Sequence, residues 1–221
     1  MLKDFFELHH IGVVFLGSFN PVIIQPFWLA NKKLIRDVEA KNAVVDIVHQ
    51  DITRFSLDWL TIEVTPNRFT LKTTQEPFFE PMKDLILSLF SILQETPLQA
   101  VGINHLRYYA LPNEERYYGF GDKLVPLSLW KEALVDPRLI NLEIVEQKRK
   151  DKLPGSFSIK IQPSDLQLST PFGVLITTND HLGLSSPKGE REGEIIETFS
   201  NNWASSLQRS SEVINSIDSK L

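Results

Sequence analysis

The chain of 221 residues contains no cysteine, and that absence removes several chemistries at once. Disulfides, thiolate-held zinc, iron–sulfur clusters and cysteine nucleophiles are excluded, and a reducing compartment fits. Positive charge is also short. Lys and Arg number 23 against 28 acids, a net charge of −5. Nonspecific binding to a phosphate backbone needs a dense positive surface, so no nucleic-acid partner is expected. Long apolar runs are missing too. Val13-Val14-Phe15-Leu16 and its neighbours fall far short of the ~20 residues of a membrane helix. The opening "MLKDFFELHH" carries acids where a secretory leader has a basic region and an apolar core. A cytoplasmic protein that does not enter a membrane is expected.

Catalytic and metal-binding spacings are equally scarce. The five histidines form no H-x-H or H-E-x-x-H pattern, and His9 and His10, adjacent on a strand, point to opposite faces. There is no G-x-S-x-G, and "YGFGDK" lacks the third glycine of a dinucleotide loop. No metal, no cofactor and no catalytic residue is assigned.

What is present is the pattern of an ordinary globule, 42% hydrophobic and 23% charged. Residues 8–16 read as a buried strand, and Pro26 opens a short helix to about Lys33. A second strand covers 43–50. In "RFSLDWLTIEV" the alternation of Phe55, Leu57 and Trp59 slips to Leu60, Ile62 and Val64, which reads as a β-bulge in one strand. "TPNR" then turns into "FTLKT". A helix over 79–95 has Pro81 in its first turn and Met82, Leu85, Leu89 and Leu93 as one stripe.

The second half repeats this order. A strand at 98–111 precedes a helix opened by Pro126, strands at 139–147, 155–162 and 172–179, and a helix from about Gly193 to Ser219. Paired echoes such as "RFTLKT" and "SFSIKI" support a tandem β-α-β-β-β-α repeat with units 1–97 and 98–221. Alternation places Leu60, Ile62, Val64, Phe69, Leu71, Phe157, Ile159 and Ile161 on one face. Thr61, Glu63, Thr70, Lys72, Ser156, Ser158, Lys160 and Gln162 take the other. The fold class is therefore α+β: an antiparallel curved sheet with helices on one face and water on the other.

In element order, two such units resemble the duplicated architecture of TATA-box-binding proteins. The likeness is topological: the polar face mixes Glu with Lys and lacks phenylalanine wedges, so minor-groove binding does not follow. "VGINHLRYYAL" and "HQDITRFSLDW" also resemble a sporadically distributed family of uncharacterised bacterial proteins, over about the first half of the chain. That family has no established activity to carry over. Its patchy distribution implies a setting in mobile elements or phage defence, and the expected role is that of a component of a bacterial defence or toxin–antitoxin-type complex.

Three surfaces are candidates for holding a protein partner or a second copy. "YYALPNEERYYGFGD" (108–122) reads as a long polar–aromatic loop. Tyr117, Tyr118 and Phe120 are its anchors, unless they only cover the sheet end. "QKRKDK" (147–152) reads as a hairpin tip, with Lys148, Arg149 and Lys150 either solvated or facing an acidic partner. The last helix carries Ile196, Phe199, Trp203, Leu207, Ile214, Ile217 and Leu221 over about 40 Å at ~1.5 Å per residue. Either it packs along the whole sheet, or its end projects and docks through Ile214, Ile217 and Leu221. The alternative function is a small-ligand binder or cryptic enzyme with a pocket near His105, Arg107, Tyr109 and His181. "TTNDHLG" (177–183) reads as a strand-end turn suited to Asn179 and Asp180.

Overall fold

The computed structural model describes residues 2–184 and 193–219. Its first half runs β1 (Phe6–Gly17), α1 (Pro26–Asn31), α2 (Asp37–Asn42), β2 (Val44–Val48), β3 (Thr53–Ser56), β4 (Thr61–Thr65), β5 (Arg68–Thr73) and α3 (Phe79–Ile92). The second half runs β6 (Leu98–Ala110), α4 (Glu114–Leu124), β7 (Leu142–Glu146), β8 (Gly155–Pro163), β9 (Gly173–Gly183) and α5 (Glu194–Asp218). Among the described residues, the nine strands join one antiparallel sheet in the order β2-β3-β4-β5-β1-β6-β9-β8-β7. Outward from the central β1–β6 pair, where Val13 faces Ile103 and Ile11 faces His105, the strands run β5, β4, β3, β2 on one side and β9, β8, β7 on the other, so the first half carries one strand more than the second.

The helices all pack on one face, as the alternation required. Ile62, Val64, Phe69, Leu71, Phe157 and Ile161 are buried beneath them. Over the first half, Ile11, Val13 and Phe15 of β1 meet α1, α2, α3 and the start of α5 in the main core. Phe15, Phe69, Phe90 and Phe199 stack at its centre, with ring centroids 4.9 to 6.5 Å apart. Such aromatic groups supply large apolar area and favourable edge contacts. A smaller core under the second half joins Leu2, Tyr109, Ile161, Val174, Ile176 and Ile214, with Tyr117, Phe120 and Leu124 of α4 against it. Among the described residues, no helix is long and apolar enough to cross a membrane.

Several local expectations are corrected. The slipped alternation at 55–64 is two strands, not one bulged strand: Leu57 N–H bonds Leu60 C=O at 2.7 Å. Phe55 then pairs with Ile62 across the resulting hairpin. The tyrosine segment is mostly helix. Asn113 caps α4 by accepting the Arg116 N–H at 2.9 Å, which satisfies one of the free amides of the first turn. Pro126 opens only a single short turn, Leu127–Leu129. "TTNDHLG" is the end of β9 itself and continues to pair with β6 through Gly183 and with β8 through Leu182. The polar face is not uniformly wet. His10 and Tyr108 lie on it yet are buried, and burial first, then the charge of Asp165 in the β8–β9 connection, raises the Tyr108 hydroxyl. Gly155 begins β8 at φ 129°, where a Cβ would lie 2.0 Å from the His181 carbonyl oxygen, so only glycine fits.

Candidate functional site

Where α5 crosses from one core to the other, its underside changes from apolar to small and polar. Phe199 and Trp203 face the main core, but Ser206 and Ser210 follow, both fully buried. Opposite them the sheet presents His9 of β1, His105 and Arg107 of β6, and Thr178 of β9. Strand pairing places these on the helix-covered face, since His105 stands opposite Thr178 and Arg107 opposite Ile176.

A chain of contacts runs through this seam. Glu76 lies 3.7 Å from His9 Nδ1. His9 Nε2 and His105 Nδ1 share a hydrogen bond at 3.3 Å, and His105 Nε2 reaches Ser206 Oγ at 3.3 Å. Arg107 donates to the hydroxyls of Ser210 and Ser211, and Ser210 Oγ meets Thr178 Oγ1 at 2.6 Å. Burial first, and then the Arg107 charge, pushes His9 down to about 3. Burial, His9 and Arg107 in turn push His105 down to about 3. Burial also lowers Arg107 and raises Tyr109 to about 12.

The order Ser206–His105–His9–Glu76 has the outline of a nucleophile, a base and its orienting groups. Two observations count against that use. A base at about 3 is far from the operating pH that favours proton transfer, and Ser206 is 0% exposed. Filled by its own hydroxyls, the seam is a hydrogen-bonded contact between helix and sheet. Each polar group meets a partner there, which is the condition for burying it without a large penalty.

A second polar cluster lies beyond it on the same face. Arg149 is 7% exposed, not a solvated hairpin tip, and binds the buried Asp180 and also Asp151. Burial opposes the Arg149 charge, but hydrogen bonds to the two aspartates outweigh it. The hydrogen bond from Arg149 holds Asp151 below the usual carboxylate range. Arg209 of α5 pairs with Glu146 and lies 4.2 Å above the Phe157 ring. The helix is thus tied to β7 and β8 by charge as well as packing.

The expected site residues are dispersed by this arrangement. His105, Arg107 and Tyr109 do share a face, but His181 stands opposite Gly102 and Ser156 on the other face and joins no pocket with them. Ile214 is buried and Ile217 partly buried in the smaller core, so the end of α5 does not project. Leu221 lies outside the described residues. Tyr117, Tyr118 and Phe120 line a shallow hollow with Leu139, Ile140 and Ile161, and Arg138 lies 4.4 Å above the Tyr118 ring. Lys150 is exposed, so Arg149 turns inward while a neighbour in the same run stays outside. Among the described residues, no three His, Asp or Glu side chains converge as metal ligands.

The partners that α5 brings to this seam escape a reading of motifs and spacing. Ser206 and Ser210, one turn apart inside the apolar stripe, are the available signal. No model of a known protein family matches the chain, and no curated protein matches it.

Proposed function

We propose that the chain is a non-enzymatic protein-binding or assembly module, a component of a bacterial defence or toxin–antitoxin-type complex. The observation that carries this reading is the edge strand β2, "VVDIV", in which every residue is exposed. Val44 is 64% and Val45 49% exposed, on an edge where, among the described residues, only β3 pairs. An open apolar edge is a template for another strand. β2 carries Asp46 where its register with β3 shifts. Self-pairing centred there sets Asp46 against Asp46, a like-charge contact that opposes it. The partner of this edge is therefore an extended segment of a different protein, with a basic or neutral side chain facing Asp46.

The test is purification alongside the products of neighbouring genes. Co-elution with one of them, lost on Ile47→Lys, supports the reading; a chain that stays monomeric and binds none of them sinks it. The alternative, a small-ligand site at Arg107, is favoured by one observation: the described partners of this buried guanidinium are hydroxyls. A melting shift with phosphate or sulfate, abolished by Arg107→Met, would favour the alternative.

A further inference from the structure

The other end of the sheet differs from β2 in ways that suit a second copy of this chain. β7 is "LEIVE", pairs with β8 from Leu142 to Glu146 without a register shift, and leaves Ile144 55% and Val145 47% exposed. We infer that two copies associate through β7, antiparallel about a two-fold axis, so that their sheets join edge to edge. This rests on the assembly reading above but concerns the opposite edge and a different occupant.

Register decides the occupant. Leu142, Ile144 and Glu146 stand opposite Ile161, Ile159 and Phe157 on the helix-covered face, whereas Glu143 and Val145 stand opposite Lys160 and Ser158 on the polar face. A two-fold axis normal to the sheet keeps each face continuous, so residues of the same face must meet. Centring it on Ile144 uses all five residues of each strand. Ile144 then meets the partner's Ile144, Leu142 meets the partner's Glu146, and Glu143 meets the partner's Val145. No like charges stand directly opposite, the arrangement that cross-strand energetics favour. Glu146 is already paired with Arg209 of its own chain, which leaves less of its charge to repel an incoming strand. The same construction on β2 fails at Asp46.

Area points the same way. Five paired residues alone fall short of the ~1,200 Å² that stable interfaces bury. The segment leading into β7 supplies more, because Leu129, Trp130, Leu134, Val135 and Ile140 are all more than half exposed there. Exposed apolar surface next in the chain to a strand that, among the described residues, pairs on one side only is material an isologous dimer can use.

Light scattering and sedimentation over a dilution series of the full chain provide the test. A dimer is expected, and Ile144→Lys, which places two lysines in contact at the axis, should lower its association constant at least tenfold. Ile47→Lys, on the opposite edge, should leave it unchanged. Because the chain has no cysteine, Ile144→Cys carries a single thiol. A short bis-maleimide should cross-link it to a covalent dimer, and Val45→Cys should not cross-link. Circular dichroism confirms that each variant is folded, and the cysteine variant reads the contact even if the lysine variant misfolds. A wild-type monomer at all concentrations overturns this inference while leaving a different protein free to bind β2. A dimer indifferent to Ile144→Lys and refractory to cross-linking at residue 144 also overturns it.

Discussion

The two ends of α5 rest on the same sheet by different physics. Its first half inserts Phe199 and Trp203 into a large apolar core. Its second half lays Ser206 and Ser210 over His105, Arg107 and Thr178 before Ile214 reaches a smaller core. An apolar contact tolerates small shifts and changes of register, because the transfer free energy depends on area. A seam of directed hydrogen bonds does not: displacement leaves buried donors unpaired. The first half therefore supplies most of the holding energy, and the second half fixes where along the sheet the helix lies.

Substitutions can break this contrast in order of size. Trp203→Ala should destabilise by about 4 kcal/mol, as large-to-small changes in a packed core do. Urea titration would read it, and a loss under about 1 kcal/mol would contradict the dominance of the apolar half. Arg149→Met leaves Asp180 buried without its cation and should cost about 3 kcal/mol. The double variant Arg149→Met/Asp180→Leu should regain most of that loss, because an apolar pair carries no desolvation penalty. Ser210→Ala removes a shared hydroxyl from Arg107 and Thr178 and should cost about 2 kcal/mol. Amide exchange should show that loss around residues 206–214 before it appears near Phe199.

Counted per titrating group and per pH unit, the smallest effect comes from pH. His9 and His105 sit at about 3 in the folded chain, against about 6.5 when unfolded. Between those values the unfolded chain binds protons that the folded chain refuses. Stability is thus present in full above about 6.5 and falls as pH drops toward 3, by about 1.4 kcal/mol per pH unit for each histidine over most of that window. Unfolding midpoints from pH 7 to 4 would show the slope, and His105→Gln should flatten it. An unchanged slope would place the titrating group elsewhere.

Much of this architecture is legible in the amino-acid sequence. The Pro81 start and leucine stripe of α3, the face sorting of β4, β5 and β8, and the long α5 all follow from periodicity, since apolar spacing directly records which side meets the core. Two of the departures share a cause: polar residues whose partners are distant in sequence. Arg149 reads as part of a solvated basic run because Asp180, its partner, sits in another strand. Asp180 reads as a turn residue for the same reason. Periodicity does not register a buried ion pair. The turn at Asp58-Trp59 reads as a bulge because alternation slips alike at a bulge and at a tight hairpin. The α4 helix does leave a signal, Asn113 followed by Glu114 and Glu115, an N-cap with acids in the first turn.

The central position of β1 also has a kinetic side. One neighbour, β5, faces it with Val13 opposite Leu71, and the other, β6, with Val13 opposite Ile103. Both pairings close long loops, and the amide of Leu2 meets Asp218 across a separation of 216 residues. Loop closure costs entropy before such contacts stabilise anything, so folding slows as they come to dominate. The middle of the sheet, its most buried part in the finished molecule, should be among the last parts to zip. Until it does, the outer hairpins β3–β4 and β7–β8, whose pairings are local, are the regions able to form on their own.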